Sequence, residues 1–176
     1  MPNPLYHERF RPAIDIIRTQ LDVVHLGEGQ DYRLKHTAAI RGFGTGSWRI
    51  QTPAANDTPA IELNAAGHIV RARSVEHDAA VFTFNELCAQ PLGVAQYLWL
   101  AERFRAITLI SVPDLATVDR DPLARFANLI DVLYDREIPL HVCAAGEPRR
   151  LVDAVEPPRD AKRIVSRLSS LKSAEA

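Results

Sequence analysis

Two cysteines, one methionine and 7% aromatic residues are spread over 176 positions. Cys88 and Cys143 stand 55 residues apart in apolar surroundings and match no zinc spacing, which predicts two reduced core thiols. No window reaches the roughly 18 apolar residues that a membrane-spanning helix needs. Neither sign of charge dominates, because 21 Lys and Arg against 22 Asp and Glu leave a formal charge of −1. No global basic field therefore recruits nucleic acid or an anionic membrane surface. The start, Met-Pro-Asn-Pro-Leu-Tyr-His-Glu-Arg, has neither the apolar stretch of a signal peptide nor the arginine-rich, acid-poor look of a transit peptide, so a cytoplasmic location is expected. The six histidines are scattered with no H-E-x-x-H pair, which argues against a metal site.

What is present reads as an α/β chain. From Glu8 to Leu21, apolar Phe10, Ala13, Ile14, Ile17 and Leu21 share one helical face. Asp22 to Leu26 and Asp31 to Leu34 then read as short strands around a Gly-rich break. Between about His36 and Ala80, glycine and proline punctuate short alternating runs at Trp48–Gln51, Ala60–Leu63 and His68–Ala72. Such alternation predicts half-buried antiparallel strands with one wet face. A stretch this small is expected to be an insert and not a separate domain.

Helical signals return after Phe84, where Asn85 is the expected N-cap of a short turn through Cys88. Val94, Tyr97, Leu98, Ala101 and Phe104 mark an amphipathic helix. Ala106–Val112 and Ile138–Ala144 are apolar enough to be strands covered on both faces, and the stripe Leu123, Phe126, Ala127, Ile130, Leu133, Tyr134 makes a helix between them. Strand, helix and strand in that order imply a parallel crossover. A last helix is expected from Asp160 to about Lys172.

Gly42-Phe43-Gly44-Thr45-Gly46-Ser47 is the only stretch resembling a phosphate loop, and it fails the requirement. A phosphate loop needs G-x-x-x-x-G-K-[ST], whose backbone N–H groups cradle the phosphates while the lysine reaches the terminal ones; here no lysine follows Gly46, so a flexible turn is expected. Ser111, Asp114, Asp131 and His141 could be arranged as a hydrolytic triad, but no G-x-S-x-G elbow supports it. Asp131 interrupts an apolar helix face, where a carboxylate needs a donor. Either Arg125 or a strand-end N–H supplies it, or Asp131 points to solvent beside Asp135. Arginine is the residue type through which phosphoryl-transfer chemistry could act here: Arg9, Arg125, and the pair Arg163 and Arg167, four apart on one helix face.

Several of these segments recur together in a known family. Phe82-Thr83-Phe84-Asn85-Glu86-Leu87-Cys88, Gln96-Tyr97-Leu98, Arg125-Phe126 with Leu129 to Asp135, and Ser166-Arg167-Leu168 resemble, in order and spacing, the carboxy-terminal half of ZapE/AFG-like P-loop ATPases. Pro4 to Pro12 resembles the segment of the same family that follows the strand sensing hydrolysis, and Asp31-Tyr32-Arg33-Leu34 resembles its Asp-Tyr-Arg element. The family hydrolyses ATP with magnesium, so the resemblance implies ATP and Mg as family cofactors and none for this chain alone. It implies that the phosphate loop, the magnesium-binding acidic strand and the sensor strand belong to a missing amino-terminal ATPase portion, with Met1 an internal methionine or the start of a truncated gene. It implies a role near the bacterial division ring, with the tubulin-like ring protein as partner. Arg9, Arg125 and Arg167 keep family positions and are the implied candidates for nucleotide sensing or interdomain contact. His7 and Ala124 stand where relatives carry arginine, and Ala144-Ala145 where Ser-Ala is usual.

The fold expected is thus α/β: an incomplete P-loop ATPase core over 1–35, a small antiparallel β insert over 36–80, and a C-terminal parallel strand–helix–strand–helix unit over 81–176. No catalytic residue and no metal ligand is expected in it. Strand Asp22 to Leu26 would leave an open sheet edge and favour self-association. The alternative is a stand-alone, non-catalytic interaction module.

Overall fold

The computed structural model describes residues 42–51 and 59–174. Its backbone divides into two units, Met1–Tyr32 and Arg33–Ala176, and every described residue belongs to the second. The helix expected over Glu8–Leu21, the strands at Asp22–Leu26 and Asp31–Leu34, and Arg9 lie outside the described residues.

Eight strands and three α-helices are described. In chain order they are β1 (Ser47–Ile50), β2 (Ile61–Ala65), β3 (His68–Ala72), β4 (Ser74–Glu76), β5 (Ala79–Thr83), α1 (Val94–Arg103), β6 (Ala106–Val112), α2 (Arg120–Asp135), β7 (Leu140–Ala144), α3 (Ala161–Leu168) and β8 (Lys172–Ala174). Six strands form one sheet in the order β4-β5-β6-β7-β1-β8, while β2 and β3 form a separate hairpin. Only β4 runs antiparallel to its neighbour; β5, β6, β7, β1 and β8 are mutually parallel. The architecture is α/β with a mostly parallel sheet, and the parallel crossover expected from the sequence is β6–α2–β7.

Alternating burial builds the sheet's packed face. Trp48, Phe82, Ile107, Leu109, Leu140 and Val142 are buried there, whereas Thr108, Ile110, His141 and Cys143 on the alternate positions are only partly covered. The aromatic rings knit the layers: Phe82 meets Phe104 edge to face at 6.2 Å, and Phe84 meets Phe126 of α2 at 5.9 Å.

Four local expectations change. The strand at Trp48–Gln51 is not antiparallel: Ser47–Ile50 lies between β7 and β8, parallel to both. Alternation shows that one face is buried but says nothing of which strand lies beside it. Here the neighbour is fixed by Trp48, whose Nε1 donates to the Gly146 carbonyl beyond β7 at 3.0 Å. The last helix stops at Leu168 and not near Lys172. Ser169 and Ser170 turn their hydroxyls back onto the carbonyls of Val165 and Arg167, which competes with continued helix, and the Lys172 N–H then donates to Gly46 as β8 begins. The turn after β5 is a π-helix, Asn85–Ala89, with Phe84 and not Asn85 at its N-cap. The glycine run is an ordered 3₁₀ turn, Gly42–Thr45, and not a flexible one, because Phe43 is buried and packs edge to face on Tyr134 at 5.4 Å.

The β2–β3 hairpin is antiparallel in register Ile61↔Ala72 through Ala65↔His68. Its two-residue turn, Ala66-Gly67, has positive φ at both positions (47° and 82°), as a right-twisting hairpin demands. Asn64 Oδ1 accepts from the Gly67 N–H and holds that turn.

Candidate functional site

The residues that carry the family likeness meet one another in two places. The first is the π turn. Thr83 and Glu86 bond reciprocally, Thr83 N–H donating to Glu86 Oε2 at 2.8 Å and Glu86 N–H to Thr83 Oγ1 at 3.2 Å, which satisfies donors that the start of a helical turn leaves over. Tyr97 of α1 donates its hydroxyl to the Leu87 carbonyl, and Arg125 of α2 donates Nε to the Cys88 carbonyl at 2.6 Å. Cys88 is fully buried, and burial drives its thiol pKa far above the usual thiol range, outweighing the nearby Arg125 charge, which pulls the other way. Burial likewise raises the Tyr97 phenol.

The second place joins α2 to α3. Arg167 donates to Asp131 Oδ1 at 2.7 Å and pairs with Asp135 at 3.0 Å, and its guanidinium lies over the Tyr134 ring at 4.4 Å. Arg163, one turn earlier, bridges Asp131 and Asp160. The donor that Asp131 requires therefore comes from α3 and not from Arg125, which is turned toward the π turn. Burial pushes the Asp131 carboxyl up, and Arg167 and Arg163 draw it back only in part. Arg167 thus spends its guanidinium inside the fold, and Arg125 commits its Nε there.

The other polar candidates do not converge. His141 Nδ1 lies 3.0 Å from Ser47 Oγ on the neighbouring strand. Asp114 is paired with Arg150 at 2.8 Å and accepts from the Ala116 N–H, so its carboxyl is held below the ordinary value, chiefly by the Arg150 hydrogen bond. With Asp131 engaged at α3, three of the four residues considered as a triad, His141, Asp114 and Asp131, bond to three different sets of partners and not to one another. Among the described residues no group of three or more His, Cys, Asp and Glu is placed to hold a metal ion.

A cleft of about 410 Å³ opens between the hairpin and the π turn. One wall is His68, Ile69, Arg71 and Arg73; the other includes Asn85, Glu86 and Leu92. Glu86 is nearly buried and pairs with Arg73 at 2.7 Å, while Arg71 pairs with Glu62 in the open. His68 Nδ1 meets the Gln96 side-chain amide at 3.2 Å. Sequence reasoning saw the alternation of His68–Ala72 but not the cleft; the available signal was two arginines and a histidine within six residues, just ahead of an acidic residue in the Phe82–Cys88 motif.

The family model described as AFG1-like ATPase matches residues 1–176. This chain belongs to the AFG1-like ATPase family. "Cell division protein ZapE" of Escherichia coli is 26% identical over 186 aligned residues, covering 98% of this chain and 49% of the relative. "Lactation elevated protein 1 homolog B" of Danio rerio is 29% identical over 167 residues, covering 86% of this chain and 33% of the relative. The AFG1-like chain thus spans about half the length of its bacterial relative, and less of the vertebrate one. No solved structure matches it.

Membership implies a nucleotide and magnesium at the level of the family, and the described residues of this AFG1-like chain do not fit them. The glycine-rich turn is its nearest approach to a phosphate cradle, yet Gly46 is pressed so closely on Leu140 that even a Cβ would overlap the Leu140 backbone. Phe43 of the same turn points into the core. A phosphate therefore finds no room against Gly46 on the side of Leu140. Among the described residues, no helix is long and apolar enough to cross a membrane.

Proposed function

We propose that this AFG1-like chain supplies the non-catalytic, C-terminal half of a ZapE-type ATPase and turns over no ATP by itself. The observation that carries the reading is the use made of its motif arginines. In phosphoryl transfer a guanidinium must reach the transferred group, whereas Arg125 and Arg167 reach Cys88, Asp131 and Asp135. They act as positioning residues: one sets the π turn against α2, the other sets α3 against α2. Arg9 is the remaining candidate for nucleotide sensing or interdomain contact. The phosphate loop, magnesium-binding strand and sensor strand belong, in this reading, to a separate ATPase portion, and this half transmits its nucleotide state to a protein being remodelled. The bacterial relative's name gives cell division as the setting, and a division-ring protein is the remodelled partner in this reading.

The test is direct. Purified 176-residue chain with ATP and magnesium should release phosphate at the rate of buffer, and its melting temperature should stay within 1 °C of the nucleotide-free value. Turnover that follows protein concentration, or a clear upward shift in melting on adding ATP and magnesium, would overturn the reading, since specific binding to the native state must stabilise it.

A further inference from the structure

We propose that the cleft beside β3 receives an extended acidic segment of a partner protein, which adds as a strand to the open edge of β3. The inference goes beyond the ATPase reading and does not depend on it, because ATP plays no part in the binding or in its measurement.

Three observations lead there. The first is an edge. Among the described residues, β3 has β2 as its one strand neighbour, and the cleft is lined from β3 but not from β2, so it lies on the side of β3 with no described strand partner. Unpaired backbone N–H and C=O groups on such an edge are a template for an added strand. Neither proline nor lysine interrupts His68–Ala72 to blunt it. Five residues of strand span about 17 Å, room for a segment of similar length.

The second is charge. β3 and the residue after it bring Arg71, Arg73 and His68 to the cleft, while Glu86 is the carboxylate among the lining side chains. Glu86 is already held by the Thr83 N–H and by Arg73. The Arg71–Glu62 pair is more than half exposed on both sides, 60% and 58%; such a pair is worth little, and an incoming carboxylate can replace Glu62 at small cost. An acidic segment therefore meets guanidiniums with one weakly committed, and a basic segment meets repulsion.

The third is the apolar part of the wall. Ile69 is 54% exposed at the cleft, and the buried Leu92 lines the wall across from it. Ile69 and Arg71 lie two apart on β3 and so share a face. A segment that alternates an apolar anchor with a carboxylate matches that spacing.

The experiment is selection of random octapeptides displayed on phage against the folded chain, followed by anisotropy of the enriched peptides carrying a fluorescent label. Expected is a pool enriched in Asp and Glu whose members bind at least tenfold more weakly to Arg71→Glu and to Ile69→Asp. Both sites are exposed, and retained melting of each variant shows that the fold persists. N-methylation of alternate backbone amides in the best peptide should also cost at least tenfold. A pool no different from the input, a pool without acidic excess, or binding indifferent to Arg71→Glu would each refute the proposal. So would inorganic phosphate shifting the His68 and Ile69 amide resonances while no peptide is enriched, since the cleft would then be a small-anion site.

Discussion

Arg167 lies over the Tyr134 ring at 4.4 Å while its guanidinium grips Asp131 at 2.7 Å, so one side chain of α3 touches α2 through both charge and an aromatic face. Arg167 is only 10% exposed and Asp131 about a quarter. Removing Arg167 leaves Asp131, about three-quarters covered, with Arg163 as its remaining guanidinium, and loses the contact with Tyr134 and Asp135 as well, which is dearer than losing an exposed pair. Arg167→Ala should lower unfolding free energy by about 2 kcal/mol, between the cost of an exposed pair and that of an uncompensated buried charge. Arg167→Lys should recover less than half, because an ammonium cannot reproduce the fork and the stacking together. Urea denaturation of the two variants, closed into a cycle with Asp131→Asn, measures the coupling. If Arg167 served a nucleotide alone, the unfolding midpoint of the nucleotide-free chain would not move.

The two thiols should separate by reactivity. Cys88 is fully buried with its thiol held protonated by burial, while Cys143 is partly exposed on the less covered sheet face. A thiolate is the reacting species, so the native chain at pH 8 should give one fast reaction with a disulfide reagent, at Cys143. Cys88 should react only as fast as the chain opens, and denaturant should release it. Mass spectrometry of the labelled peptides assigns each site. Equal labelling of both in the native chain would contradict the packing of the π turn on α2.

Asp114 and Asp131 carry pH effects of opposite sign. The Asp114 carboxyl is lowered from an ordinary value near 3.8, mainly by its Arg150 hydrogen bond. A lowered acid contributes stability above its unfolded value, and that contribution is lost as pH falls through the folded value. The Asp131 carboxyl is raised from the same starting point by burial, so ionising it costs stability as pH rises from about 3.8 through its folded value. The stability difference between the parent chain and Asp114→Asn should therefore shrink as pH drops below 4 in a series of urea melts. A difference that stays constant from pH 3 to 7 would show that the Arg150 pair does not hold the Asp114 proton equilibrium.

How much could be read from the residues divides by range. The helix at Val94–Arg103 and the β6–α2–β7 crossover were legible because their apolar spacing is long and regular. The place of β1 was not, since Trp48-Arg49-Ile50 has the same alternation whether its neighbour is antiparallel and near or parallel and 94 positions away. Helix α3 was legible at its start but not at its end, because Ser169 and Ser170 decide the stop through side-chain bonds that spacing does not reveal. Asp131 announced that it needed a donor, and the pair Arg163 and Arg167 was visible as one helix face. Joining the two required knowing that α3 packs on α2. The cleft was the least legible feature, since β3 and the π turn each look ordinary alone and meet only in three dimensions.

Gly46 sets the sharpest test of the sheet. It precedes β1, and a Cβ there would overlap the carbonyl of Leu140, the first residue of β7, with no flexible side chain available to yield. Its own carbonyl accepts from Lys172, so the same residue also fixes the start of β8. Gly46→Ala must push β1 away from β7 and loosen β8 with it, a backbone displacement that should cost more than about 2 kcal/mol. Gly67→Ala is the control. Gly67 has φ of +82° in the hairpin turn with nothing near its missing Cβ, so the substitution pays only for backbone conformation, about 1 kcal/mol. Thermal melts should rank Gly46→Ala well below Gly67→Ala, and hydrogen exchange in Gly46→Ala should accelerate first in β1 and β8. The reverse ranking would mean that β1 does not lie against Leu140 as described.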